Sequence, residues 1–121
     1  MTEVVAIIGA SKKPDRYANK AMHALQKHGH EVVLVNPFKK EVEGQTCLHS
    51  VVDYNEKIDT VTLYVNPKRF QDHIQDVIKA EPKRVIMNPG TENDEHQQVL
   101  EDAGITVLRA CTLVLLSTNQ F

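Results

Sequence analysis

Short apolar runs alternate along this chain with apolar stripes at helical spacing, and the alternation predicts its elements. Val4-Val5-Ala6-Ile7-Ile8 is a continuous, largely β-branched run, the mark of a strand covered on both faces. Ala18, Ala21, Met22 and Leu25 then recur at i, i+3, i+4 and i+7, one stripe of a helix that stops near Gly29. Val32 to Val35 reads as a second strand, Val61 to Val65 as a third, Val85 to Met87 as a fourth and Ile105 to Leu108 as a fifth. Between the third and fourth, Phe70, Ile74, Val77 and Ile78 form a helical stripe, with Asn66 placed to cap it and Pro67 suited to its first position. Val99, Leu100 and Ala103, closing at Gly104, mark a further helix. The stretch from Lys39 to Asp59 is polar and irregular, with a short helical turn expected around Ser50. Leu113 to Leu116 fits either a short strand or a packed tail.

Strand–helix–strand alternation specifies parallel pairing with right-handed crossovers. The predicted class is therefore α/β, a Rossmann-like open parallel sheet of about five strands with helices on both faces. The first choice of strand order is 3-2-1-4-5, with a flavodoxin-like order second. No linker or repeat interrupts the 121 residues, so 1–121 reads as a single domain. Composition narrows the class further. An apolar share of 41% with 25% charged residues suits a packed globule. No apolar run approaches the roughly 20 residues of a spanning helix, and no basic-then-apolar leader is visible. The two cysteines, far apart and outside any CxxC, fit a reducing cytoplasm and argue against structural zinc. A net charge of −2 and the absence of Trp exclude a general nucleic-acid binder.

In open parallel sheets ligands bind beyond the carboxyl ends of the strands. The first strand here runs into Gly9-Ala10-Ser11, and the next three into Asn36-Pro37, Asn66-Pro67 and Asn88-Pro89-Gly90. The fifth runs into Arg109-Ala110-Cys111. One Asn-Pro is ordinary turn punctuation, but three on one edge describe a shaped crevice. Charge separates the same way. Loops 9–16, 36–40, 66–69, 88–92 and 109–112 hold eight of the 14 basic residues and only two of the 16 acids, so the edge carries +6 and the remainder −8. A multiply phosphorylated small molecule is the natural partner of such an edge. Gly9 lets the backbone approach a phosphate, Ser11 offers a hydroxyl, and the following helix presents its N-terminal N–H groups. The loop lacks the later glycines of G-x-G-x-x-G, and Asn36 stands where NAD domains place an acid for the ribose. NAD is thereby demoted, while Lys39 and Lys40 keep NADP in play.

Val5 to Arg16 (VAIIGASKKPDR), followed by Gly29-His30-Glu31-Val32 and Val35-Asn36-Pro37, resembles the CoA-binding domain family, stand-alone relatives of the N-terminal domain of the succinyl-CoA synthetase α subunit. The stretches Leu63 to Pro67, Asn88 to Asn93 and Ala110 to Leu113 are similar to that family too. The resemblance implies that Gly9, Ala10, Ser11, Lys12, Lys13 and Arg16 hold the pyrophosphate and neighbouring phosphate of coenzyme A or an acyl-CoA. Asn36, Pro37, Lys39 and Lys40 would border the adenosine end. Tyr64, Val65 and Asn66, with Phe70, would flank the nucleotide. Asn88, Pro89, Gly90 and Thr91 would line the path of the pantetheine arm, with Cys111 nearby. Two departures matter. Lys12 and Lys13 are bulkier than the glycine-rich loop of the synthetase, and that enzyme's second domain, with its phosphorylated histidine, has no counterpart in these 121 residues.

The other reactive residues read as structural. The six histidines show no ligand spacing, so no metal is expected, and Asp94, Glu95, Glu101 and Asp102 read as a solvated helix face. Cys47 reads as inert, and Cys111 as a small packing residue whose thiol Arg109 could activate. No nucleophile–base arrangement emerges, so no catalytic residue is named. The expected function is binding of CoA or acyl-CoA without catalysis by this chain. An NADP-binding oxidoreductase or nucleotide-sensing domain is one alternative, and a subunit completing an acyl-CoA enzyme in trans is another. A protein partner or a homo-oligomer stays open.

Overall fold

The structure, a computed structural model, describes residues 2–121. Six strands run parallel: β1 (Val4–Ile8), β2 (Glu31–Val35), β4 (Gln45–Leu48), β5 (Thr60–Leu63), β6 (Arg84–Met87) and β7 (Thr106–Arg109). The two-residue β3 (Glu41–Val42) pairs antiparallel with β4 at one end, giving the order β3-β4-β2-β1-β5-β6-β7. The helices are α1 (Tyr17–Lys27), α2 (Pro67–Phe70), α3 (Ile74–Ala80), α4 (Asp94–Asp102) and α5 (Thr112–Ser117), with a 3-10 turn at Val51–Asp53.

Alternation along β1 divides the core between the two faces of the sheet. Val5 and Ile7 pack with Ala18, Ala21, Met22 and Leu25 of α1 and Leu116 of α5. Ala6 and Ile8 face the other way, toward Val51, Ile74, Val77 and Leu100 of the 3-10 turn, α3 and α4. Residues 5–8 of β1 are all fully buried, as a central strand covered on both sides must be.

The Rossmann-like class holds, with two strands more than the pattern showed. The five expected strands lie 2-1-3-4-5, the flavodoxin-like second choice and not 3-2-1-4-5, because the outer place beside β2 belongs to β4, inside the stretch read as irregular. Once β4 is counted as the third parallel strand, the order is 3-2-1-4-5-6. A two-residue turn makes the hairpin: Glu43 and Gly44 both adopt positive φ, at 52° and 76°, the geometry that joins tightly paired strands. The expected turn near Ser50 is present, with Ser50 and Asp53 capping each other reciprocally. Asn66 caps α2 through Arg69 N–H at 2.8 Å, but the stripe from Phe70 to Ile78 is two helices, broken between Phe70 and Ile74. Leu113 to Leu116 is no strand; the packed alternative holds in helical form, since the segment makes most of α5 and Leu113 and Leu116 pack in the α1-side core.

At the amino edge, Asp59 knots three strands together. Its carboxylate accepts Val4 N–H at 2.9 Å, its own N–H goes to Val4 O at 2.9 Å, and its carbonyl receives Lys83 N–H at 2.8 Å. The Val4 N–H, and then the Lys83 ammonium 3.5 Å away, hold the Asp59 carboxyl below its ordinary value. A carboxyl so held binds fewer protons than in the unfolded chain, so its contribution is present above pH 3.8 and lost as pH falls through the folded value. Urea unfolding between pH 7 and pH 3 should therefore show a shallower acid loss for Asp59→Asn than for wild type.

Candidate functional site

The carboxyl ends of β1, β2, β5 and β6 open onto a cleft of about 640 Å³. Its floor begins at Gly9, where the chain leaves β1 with φ +98°. A Cβ at this position would lie 2.7 Å from the Tyr64 carbonyl oxygen, so the strand-to-loop crossing over β5 needs glycine for both torsion and space. The loop is then tied down by its own side of the molecule. Gly9 and Ala10 N–H both donate to Val35 O, at 2.9 and 3.2 Å. The Asn36 amide donates to Ala10 O at 2.9 Å, and the Asn19 amide to Ser11 O at 3.0 Å. Asn19, only 3% exposed, also reaches Glu43 in the β3–β4 turn at 2.6 Å. That amide, with the His23 imidazole, holds the Glu43 carboxyl below its usual range. The Ala10 and Ser11 carbonyls are thus occupied by protein donors, while among the described residues the Ser11 and Lys12 N–H groups have no protein acceptor. Ser11 Oγ accepts Lys13 N–H at 3.2 Å, which leaves its proton free to donate.

Helix α1 starts in this cleft, with Arg16 at the cap and Tyr17 and Ala18 on the wall. Its first turn has neither a side-chain cap nor an acid. The contrast with its neighbours is informative. Asn66 caps α2, and α4 has both the Asn93 cap and Asp94 and Glu95 in its first turn. The positive end of α1 is left open.

Cations surround it without partners. The ion pairs among the described residues involve Glu43, Asp59, Glu3 and Asp94, and the only carboxyl-edge cation among them is Arg109, held by Asp94. Among the described residues, Lys12, Lys13, Arg16, Lys39, Lys40, Lys68 and Arg69 have no carboxylate within ion-pair distance. A surface normally intersperses its signs; this one concentrates positive potential around an uncapped helix start.

Beneath the cleft lies a buried polar layer. The Asn88 amide donates to Thr62 Oγ1 at 2.7 Å and to Leu63 O at 2.9 Å, and its Oδ1 accepts Thr112 N–H at 2.9 Å. Thr62 and Thr112 hydroxyls pair at 2.8 Å. Asn88 thus fastens β5, β6 and the start of α5. Above it, Thr91 Oγ1 donates to Asn88 O at 2.8 Å and Gly90 turns at φ +93°. The Tyr64 hydroxyl reaches into this layer, buried and without a hydrogen-bond partner among the described residues, and burial pushes its pKa up to about 12.

The structure gathers most of the sequence candidates. Gly9, Ala10, Ser11, Lys12, Lys13, Arg16, Asn36, Lys39, Tyr64, Val65, Asn66, Pro89, Gly90 and Thr91 line the cleft, and Pro37 lines an adjoining cavity. Four do not join them. Phe70 is 1% exposed, a core residue packed edge-on against the His96 ring with centroids 5.3 Å apart; it cannot flank a ligand. Asn88 is 3% exposed and works from below. Lys40 and Cys111 lie outside the lining. Burial pushes the Cys47 thiol up. Sequence reasoning missed Asn19, Tyr17, Phe38 and Arg69 as site-forming residues. Arg69 was visible only as edge charge, and Asn19 only as a polar break in an apolar helix stripe.

The open α/β sheet and its loop–helix crevice define a Rossmann-like ligand-binding architecture, and comparison with known proteins places it further. The sequence profile of the CoA binding domain family matches residues 3–117, and the chain belongs to that family. The uncharacterized protein YneT of Bacillus subtilis (strain 168) is 26% identical over 104 residues, 86% of this chain and 77% of that protein. A crystal structure of an uncharacterized protein superimposes with TM-score 0.89 at 40% identity, covering 100% of this chain and 99% of the other. The apo form of a dinucleotide forming acetyl-coenzyme A synthetase 1 from Ca. Korarchaeum cryptofilum matches with TM-score 0.75 at 25% identity over 89% of this chain, which spans 26% of that protein.

Two substitutions probe the scaffold. Gly9→Ala should destabilise by on the order of 2 kcal/mol, since strain at a forced positive φ alone costs about 1–3 kcal/mol. Asn88→Ala should cost about 3 kcal/mol by leaving buried donors and acceptors unpaired. Both are read by chemical denaturation, and a loss below about 0.5 kcal/mol, the scale of a neutral surface change, would show the position to be dispensable.

Proposed function

We propose that this protein binds coenzyme A or an acyl-CoA in the 640 Å³ cleft, with the ligand's diphosphate at the Gly9–Ser11 loop and the start of α1. The observation that carries the reading is the uncapped, acid-free N-terminus of α1 among cations that have no carboxylate partner. Membership of the CoA binding domain family supports the choice of CoA among phosphorylated nucleotides. Free N–H groups at Ser11 and Lys12, the Ser11 hydroxyl and Arg16 supply donors to phosphate oxygens. From there the crevice runs past Tyr64 and Asn66 to Pro89, Gly90 and Thr91, a path for the pantetheine arm. We assign the chain a binding role without chemistry of its own. NADP binding is the second reading, favoured by Lys39 on the cleft wall, where a 2′-phosphate would meet it.

Titration calorimetry with CoA, NADP and NAD separates the two: CoA should bind most tightly, and equal or tighter NADP binding would reverse the assignment. A hydrogen bond to a charged group contributes about 1.5–3 kcal/mol, so Ser11→Ala and Arg16→Ala should each weaken CoA by roughly ten- to a hundredfold. Affinity should fall as salt is raised, because the contacts are between exposed charges. Unchanged affinity in both variants would move the phosphate site elsewhere.

A further inference from the structure

Two N–H groups of the Gly9 loop, those of Ser11 and Lys12, meet no protein acceptor among the described residues, and each shares a trans peptide with a carbonyl that the protein holds. In a planar trans peptide the C=O and the N–H point in opposite directions, so fixing the carbonyl aims the N–H. The Asn36 amide on Ala10 O, at 2.9 Å, aims the Ser11 N–H. The Asn19 amide on Ser11 O, at 3.0 Å, aims the Lys12 N–H.

The two anchors are themselves held differently. Asn36 follows directly on β2, and its Oδ1 accepts Phe38 N–H at 2.9 Å, which fixes which way its amide faces. Asn19 sits on α1, and its amide could turn either its oxygen or its nitrogen to the loop. Glu43 makes that choice, with its carboxylate 2.6 Å from the Asn19 nitrogen. An ionised carboxylate only accepts, so it demands the NH2 group, and the same nitrogen then meets Ser11 O. The other group on that carboxylate oxygen is His23 Nε2, at 3.1 Å.

Glu43 stands in an unfavourable place for a glutamate. It is the first of the two turn residues between β3 and β4, at φ +52°, where glycine or asparagine enters the left-handed region more readily. That turn carries a carboxylate to an α1 amide 24 residues away in sequence. The hairpin has another tie to α1, from Gln26 Nε2 to Gln45 Oε1 at 2.6 Å, so its attachment does not depend on Glu43.

We propose that Glu43 is a positioning residue for phosphate binding: through the Asn19 amide and the Ser11–Lys12 peptide it points the Lys12 N–H at a phosphate oxygen of the ligand. The inference rests on the reading that phosphate binds at this loop. It adds to that reading a residue that lines neither the cleft nor the cavity beside it.

The test is calorimetric titration with CoA, ADP and inorganic pyrophosphate. The proteins are wild type, Glu43→Gly, Glu43→Lys, Asn19→Ala, the Glu43→Gly/Asn19→Ala double variant, and Gln45→Ala, which loosens the hairpin at its other tie. Removing a negative charge near an anion site would by itself tighten binding, so positioning and simple electrostatics predict opposite signs. Positioning predicts about tenfold weaker binding of all three probes to both Glu43 variants, the scale of one hydrogen bond to a charged group. Gln45→Ala should bind as wild type does, and Glu43→Gly should cost nothing further once Asn19 is alanine. In amide NMR, pyrophosphate should shift both the Ser11 and Lys12 resonances of wild type, and in the Glu43 variants the Lys12 shift alone should shrink. Unchanged or tighter binding in either Glu43 variant overturns the positioning role, as does an equal loss in Gln45→Ala or full additivity with Asn19→Ala. Binding of ADP and pyrophosphate that depends on Glu43, without binding of CoA to wild type, keeps the role and overturns the CoA reading. Failure of every probe to bind wild type overturns both.

Discussion

The chain leaves the central strand through a position that no side chain can occupy. At Gly9 the backbone passes so close to the Tyr64 carbonyl that a Cβ would sit 2.7 Å from it, and the positive φ there turns the chain away from the sheet plane. Because the chain turns out of its parallel pairing with β5 at this point, over the Tyr64 carbonyl, the loop that follows lies in the crevice and α1 begins facing it. The bonds from Val35, Asn36 and Asn19 then hold the loop's polar groups in a single arrangement. A widening at Gly9 would move the loop of Ala10 and Ser11, the helix start and the Asn36 turn together. The site is pre-organised by a close contact between backbones, not by side-chain packing around a ligand.

Electrostatics builds on that geometry. The amino edge neutralises its charges internally, through Lys83 with Asp59 and Arg84 with Glu3. The carboxyl edge leaves most of its cations unpaired, at the open positive end of α1. Past Gly9 the adjoining cavity is lined by Asp72 and Asp76 as well as Arg69, so the charge of the lining changes along the crevice. The buried Asn88 layer supports this from below by fixing the separation of β5, β6 and α5.

Much of this was legible in the sequence. The buried central strand, the α1 stripe stopped by a glycine, the Asn66 cap and the concentration of charge on one edge follow from local pattern, because burial on both faces and helix capping write themselves into neighbouring residues. The hairpin β3–β4 was not legible. Its strands are short, Glu41 and Thr46 point to water, and Glu-Gly is a weaker turn signal than Asn-Gly. Its absence from the reading is why the expected order 3-2-1-4-5 put the Val61–Val65 strand in the place beside β2 that β4 occupies. Phe70 was misplaced for a related reason: an aromatic residue one turn after a cap has the same appearance whether its ring faces the ligand or the core.

The amino-acid sequence by itself determined the alternating α/β class, the central strand, the Gly9 loop that follows it and the sign of the edge, since each depends on residues adjacent along the chain or on composition alone. Only the tertiary structure decided which side chains meet. Asn19 reaches Ser11 and Glu43 across a helix, a loop and a hairpin. Phe38 meets Arg69 from another crossover, and Asn88 joins β5 to α5. Those contacts depend on how the strands are ordered and registered, and the order was set by a strand too short and too polar to announce itself.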